Sequence, residues 1–169
     1  MGYTEEKLAA LVGEIAPPDE RAMEEARKRQ AQLAKPPGSL GRLEDLSVQL
    51  AGITGKVKNT LERKVLLVFS ADNGVVEEGV SSAPQSVTAV QTVQLTRGKT
   101  GASSIAAALG CRVKVCDVGV GADLGTVPAV IGRKIAYGTH DIAKGPAMTR
   151  EDAVRAILTG ADLALDTAE

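Results

Sequence analysis

Aromatic residues are nearly missing from this chain of 169 residues: no Trp, one Phe and two Tyr. Stacking platforms for nucleotide bases are therefore not expected. The formal charge of −1 gives no electrostatic case for nucleic acid or an anionic membrane surface. There are two cysteines, Cys111 and Cys116, and one histidine, His140. That set cannot complete a tetrahedral zinc site, and both thiols read as reduced and packed. No apolar run approaches membrane-spanning length. The N-terminal Thr4-Glu5-Glu6-Lys7-Leu8 is acidic, not a basic stretch leading into an apolar one, so a cytoplasmic protein without a signal peptide is expected. No cofactor or metal is called for.

What is present is a chain 44% apolar and 24% charged, enough for a globular fold with a core. Leu8, Leu11, Val12 and Ile15 recur at helical spacing behind Thr4 as cap. Pro17-Pro18 ends that helix, and Asp19 caps a second with Met23, Ala26 and Leu33 along its stripe. The segment Lys35-Pro36-Pro37-Gly38-Ser39-Leu40-Gly41-Arg42-Leu43-Glu44 is a stiff elbow, with a third helix opening at Ser39 and carrying Leu43, Leu46 and Leu50.

The pattern changes after residue 60. Val65-Leu66-Leu67-Val68-Phe69 predicts a strand buried on both faces. Pro84 opens a helix whose inner side holds Val87, Val90 and Leu95. Gly101 to Leu109 predicts a helix of small residues, Val113 to Val118 a second strand, and Arg133 to Tyr137 a short third one. Thr149 caps a last helix through Val154, Ile157, Ala161 and Leu165. This order implies an α/β fold with parallel strands, and ligands beyond their carboxyl ends. The loops Ala71 to Ala83 and Gly119 to Thr126 hold that position.

Several polar residues there have two readings. Asp72 and Asn73 either cap a turn or meet a ligand. Asp117 is equally a turn cap or a hydroxyl partner. Gln91 lies seven residues beyond Pro84, on a similar helix face, and can bond a ring nitrogen or remain a surface amide. Gly119-x-Gly121-x-x-x-Gly125 departs from the dinucleotide fingerprint and reads as a turn. His140 has no Ser or Cys constellation around it and reads as an exposed loop residue. Lys35, Arg42, Arg97 and Lys99 could neutralise a phosphate, but nothing groups them.

The elbow at Lys35 to Glu44, the segment Ala71-Asp72-Asn73-Gly74-Val75 and the run Gly145-Pro146-Ala147-Met148-Thr149 together resemble one family. It is the nicotinate-nucleotide–dimethylbenzimidazole phosphoribosyltransferases, and the resemblance runs from about Asp19 to the last residue. It implies N-terminal helices of a small domain over residues 1–60, then part of a Rossmann-like parallel sheet over 61–169. It implies transfer of phosphoribose from nicotinate mononucleotide to 5,6-dimethylbenzimidazole, giving α-ribazole 5′-phosphate for cobalamin assembly. The base pocket carried over comprises Gln91, Pro84, Ser82, Asp72 and Asn73. The family usually has His where Asn73 stands, Ser where Ala83 stands, and Asn where Asp141 stands. Its catalytic glutamate, a Gly-Glu-Met/Leu-Gly segment and phosphate-binding glycines lie downstream of the matched region. No catalytic residue is therefore assigned, and Glu77, Glu78 and Glu169 are given no role. The chain alone is expected to be inactive, and to form a homodimer or join a downstream half. The alternative is a non-catalytic binding or interaction module that keeps half of the base pocket.

Overall fold

The computed structural model describes residues 2–168, and Glu169 lies outside them. The chain divides into two compact units, residues 11–62 and residues 1–10 with 63–169. Helix α1 (Glu5–Gly13) crosses the boundary, and Thr4 Oγ1 caps it by accepting the Lys7 N–H.

Residues 11–62 are helical. In α2 (Glu20–Ala31) the Asp19 carboxylate accepts the Ala22 N–H at 2.9 Å. Ala22 and Ala26 pack on Val48 and Ala51 of α3 (Arg42–Thr54). The helices approach closely at Gly52, where a Cβ would lie 2.7 Å from Met23 Sδ. Helix α3 starts at Arg42, not at Ser39 as expected. Gly38 and Gly41 both adopt positive φ, 74° and 53°, which turns the elbow before a helix can open. Glu44 then holds the turn: its carboxylate accepts the Leu40 N–H and meets Lys35 Nζ at 2.6 Å. Leu33 lies beyond the end of α2, half-exposed.

The larger unit is built on three parallel strands, β1 (Val65–Ala71), β2 (Arg112–Gly119) and β3 (Val130–Gly132), in that order. Between β1 and β2 come α4 (Ser86–Thr96) and α5 (Gly101–Ala108), and α6 (Arg150–Ala168) closes the chain. The central strand is the buried one, with Val115, Cys116 and Asp117 inside. β1 is only half-buried and Phe69 is 43% exposed, against the expectation of burial on both faces. β1 is an edge strand, with β2 as its one strand neighbour among the described residues.

Two further corrections concern registration. The third strand is Val130–Gly132, ahead of the expected Arg133 to Tyr137. Arg133 and Ile135 still donate to the Asp117 and Val118 carbonyls, so that segment follows β2 without continuing the ladder. On α4 the buried residue is Thr92, whose hydroxyl donates to the Thr88 carbonyl at 2.7 Å, while Val90 is exposed. That bond is what lets the hydroxyl be buried, since a polar group taken out of water needs a partner.

Candidate functional site

At the carboxyl end of β1 the pairing register slips between Ser70 and Ala71, so that Ala71 stands opposite Gly119. Asp72 follows, 6% exposed, and two other chain segments converge on it. Its N–H donates to the Gly119 carbonyl at 2.9 Å, and its carbonyl accepts the Thr139 N–H at 3.1 Å. Its Oδ2 accepts the Gly121 N–H at 2.7 Å. Gly74 completes the junction by donating its N–H to Thr139 Oγ1 at 3.2 Å. Only glycine fits there, because a Cβ on residue 74 would lie 2.6 Å from the Thr139 carbonyl oxygen and 2.6 Å from His140 C.

A 3₁₀ turn, Gly74–Glu78, leaves this junction and forms one wall of a cleft of about 300 Å³. Val75 and Val76 line that wall, and Val80, Pro84, Val87 and Thr88 line the rest. Asp72, Asn73, Ser81, Ala83 and Gln85 supply its other edges. Ser81 Oγ is used locally, donating to the Ala83 carbonyl and accepting the Ala83 N–H. Gln85 Nε2 reaches across to the Asn73 carbonyl at 3.4 Å. The cleft is at the low end of ligand-site volumes, with four valines and five polar side chains in its lining.

The structure brings Asp72, Asn73 and Pro84 together around this cleft. Ser82 is exposed between two lining residues, Ser81 and Ala83. Gln91 is exposed one turn beyond Val87 and Thr88, on their side of α4 but outside the lining. Sequence reasoning did not single out Gln85 and Thr88, although Gln85 is the N-cap of the helix that Pro84 introduces and Thr88 lies in its first turn.

The outer end of the 3₁₀ turn is tied down by Lys144, which meets Asp141 at 2.9 Å, Glu77 at 3.1 Å and Glu78 at 3.2 Å. The hydrogen bond from Lys144 holds the Asp141 carboxyl below its ordinary range, and the three carboxylates, Asp141 foremost, push the Lys144 ammonium up. Asp117 is a turn cap: its Oδ1 accepts the Gly119 and Val120 N–H groups, and its Oδ2 meets Lys134 at 2.8 Å. Lys134 also donates to the Val120 and Ala122 carbonyls, so the Gly119 to Thr126 loop is held from within. A second cavity of about 110 Å³ shares Ala71 and Asp72 with the cleft and has Val118, Ile135, Met148 and Ala156 among its walls. His140, exposed, borders it. Among the described residues no group of three or more His, Cys, Asp or Glu could hold a metal ion, and no helix is long and apolar enough to cross a membrane.

A family model described as phosphoribosyltransferase matches residues 15–169. A protein of Alkaliphilus metalliredigens named nicotinate-nucleotide–dimethylbenzimidazole phosphoribosyltransferase is 46% identical over 158 residues, covering 94% of this chain and 45% of that protein. A protein of the same name from Desulforudis audaxviator is 47% identical over 156 residues, covering 92% of this chain and 44% of its own length. The crystal structure of the Thermus thermophilus protein of that name superposes with a TM-score of 0.79 at 43% identity, covering 89% of this chain and 46% of that one. The chain therefore spans about half the length of the curated relatives it matches.

Proposed function

The chain belongs to the nicotinate-nucleotide–dimethylbenzimidazole phosphoribosyltransferase family, and from that premise we propose that it carries the base-binding part of such an enzyme. The substrates are nicotinate mononucleotide and 5,6-dimethylbenzimidazole, and the product is α-ribazole 5′-phosphate. The observation that carries this reading is the valine-walled cleft at the carboxyl end of β1. In an open parallel sheet that is where a small ligand belongs, and the valines Val75, Val76, Val80 and Val87 suit the faces and methyls of the incoming ring.

In the reaction one azole nitrogen forms a bond to the ribose anomeric carbon as the bond to the nicotinate nitrogen breaks. The azole loses the single N–H proton carried by its other ring nitrogen. Holding the ring in one orientation turns a bimolecular step into an oriented one. The cleft supplies that slot. The carboxylates nearest to it are already engaged: Asp72 accepts the Gly121 N–H, and Glu77 and Glu78 meet Lys144. We therefore assign the proton acceptor, and the donors for the 5′-phosphate, to polypeptide that completes the site. The same completion would cover exposed apolar side chains such as Phe69, Ile157 and Leu165, 43%, 54% and 61% exposed, either in a homodimer or with a complementing half. The reaction belongs in the cytoplasm.

The test has two arms. Ligand-observed NMR with benzimidazoles reads binding, and an assay for α-ribazole phosphate reads transfer. Binding without turnover by the chain alone, and turnover once the remaining half of a relative is added, is the expected result. Gln91→Ala weakens base binding about fivefold, the worth of one neutral hydrogen bond, whereas His140→Ala leaves it unchanged. Failure of any benzimidazole to bind in either setting would sink the reading.

A further inference from the structure

We propose that Lys144 is a positioning residue for the base site: a clasp that holds the Val75 and Val76 wall of the cleft in place and makes base affinity fall as salt rises. This deepens the base-site reading and rests on it. Both valines ride on the 3₁₀ turn Gly74–Glu78. A five-residue turn of that kind has little stability of its own, so its position depends on what holds its ends. The inner end is tied by the Gly74 N–H to Thr139 Oγ1 at 3.2 Å. The outer end runs into Gly79, at a positive φ of 71°, and then into exposed Val80 and Ser81. There Lys144 Nζ reaches Glu77 at 3.1 Å and Glu78 at 3.2 Å. Thr139 and Lys144 belong to one loop, so that loop carries the valine wall at both ends.

The lysine is itself held in place. The Asp141 side chain, 7% exposed, meets Lys144 Nζ at 2.9 Å, and its Oδ1 accepts the Ala143 N–H at 3.0 Å. The Lys144 N–H donates to the Asp141 carbonyl at 3.0 Å. Asp141 thus fixes the ammonium from the buried side, and the ammonium reaches outward to the two glutamates. An isolated exposed pair contributes little, but here one cation serves three carboxylates, all within 3.2 Å of it. Without it, Asp141, Glu77 and Glu78 face one another as like charges, and the repulsion drives the outer end of the turn away from the loop. A wall freed at that end must be ordered again when a ring enters, which lowers affinity. Lys144 and Glu77 are both exposed, so bulk salt reaches the outer pairs and weakens them.

The experiment measures dissociation constants of the chain for 5,6-dimethylbenzimidazole by ligand-observed NMR at low and at high sodium chloride. The proteins are wild type, Lys144→Met, Lys144→Arg and Lys144→Met combined with Glu77→Gln and Glu78→Gln. At mildly alkaline pH the ring is uncharged, so salt acts on the protein and not on the attraction of the ligand. Any effect of salt on the ring's solubility is common to all four proteins and cancels between them. At low salt Lys144→Met is expected to bind about fivefold more weakly, the worth of two surface pairs. Wild type loses affinity towards that level as salt rises, whereas Lys144→Met does not weaken further. Lys144→Arg keeps both the affinity and the salt response, and neutralising the two glutamates recovers part of the Lys144→Met loss. Wild-type affinity and salt response in Lys144→Met overturn the proposal while leaving the base site standing. So does a loss that Lys144→Arg shares, since Lys144 would then act through packing and not through charge. If the ring does not bind wild type at all, the base-site reading fails and takes the inference with it.

Discussion

Replacing Gly74 with alanine is the sharpest test of how the cleft is held. The new Cβ would stand 2.6 Å from the Thr139 carbonyl oxygen, 2.6 Å from His140 C and 2.7 Å from Asp141 N. Unstrained non-bonded contacts lie near 3.5–4.0 Å, so a gap of roughly 1 Å must open. All three neighbours are backbone atoms, and no side-chain rotamer can relieve them. Either the loop at 139–141 or the 3₁₀ turn has to move, and the Gly74 N–H bond to Thr139 goes with it. Overpacking of this kind costs about 1–3 kcal/mol, and the lost hydrogen bond about 1 kcal/mol. We take about 3 kcal/mol as the expectation, given a clash with backbone on one side only. For a chain of this size that lowers the melting temperature by about 6–12 °C. Because Val75 and Val76 ride on the displaced turn, base binding should weaken as well. Gly160→Ala supplies the opposite sign: it lies inside α6 with nothing within 4 Å of its Cβ position, and should stabilise by about 0.5–1 kcal/mol. Calorimetric melts of both variants, with a benzimidazole titration of Gly74→Ala, decide the matter. A Gly74→Ala protein that melts within about 2 °C of wild type and binds the base equally well would refute the reasoning.

Three more outcomes follow from particular contacts. Lys134→Met should cost about 3 kcal/mol in urea unfolding, since it strips the partner from a buried Asp117 carboxylate that keeps two N–H donors; Asp117→Asn in the same chain should recover part of that loss. The Lys35 hydrogen bond holds the Glu44 carboxyl below its ordinary value of 4.5, so unfolding releases a group that binds protons more readily. The pair's contribution is thus present above about 4.5 and fades as pH falls through the lower folded value, and Glu44→Gln should flatten the acid limb of the stability curve of residues 11–62. Burial pushes the Cys116 thiol up to about 11, whereas Cys111 is partly accessible; a thiol reagent at neutral pH should label Cys111 and leave Cys116 untouched until the chain unfolds.

Features decided within a few residues were legible in the sequence. Thr4, Asp19 and Thr149 each cap the helix expected of them, because a cap is settled by a bond to an N–H two or three residues on. β1 and β2 follow from two apolar runs. The misplaced parts depend on distant neighbours. Val130 and Ile131 make β3 because they lie opposite Val115 and Cys116, a pairing that no local pattern announces. The inner face of α4 is set by what the sheet leaves room for, so Thr92 is inside and Val90 outside. The Lys134 and Lys144 ties bind loops far apart in sequence, and nothing in either lysine's surroundings marks it. At the site, Asp72 and Asn73 were legible as polar residues at a strand end. Their division of labour was not, because the Gly121 N–H that engages Asp72 comes from the next strand's loop.

That division has a chemical consequence. A buried carboxylate at the carboxyl end of a parallel strand is the obvious candidate to take the azole proton. Here Asp72 ties its own segment to two others, the end of β2 through its N–H and Oδ2 and the loop at Thr139 through its carbonyl. Taking a proton, even on Oδ1, would turn Oδ2 from a charged acceptor of the Gly121 N–H into a weaker neutral one. The junction that shapes the cleft would be weakened at the moment when the ring must stay oriented. A residue so placed serves the reaction by keeping the 3₁₀ wall and the β2 loop in register, and proton transfer falls to a group with no structural duty. Asn73, next in the chain and exposed, escapes the junction altogether. Its side chain makes no capping bond to the turn that follows, so a change there leaves the register held by Asp72 intact.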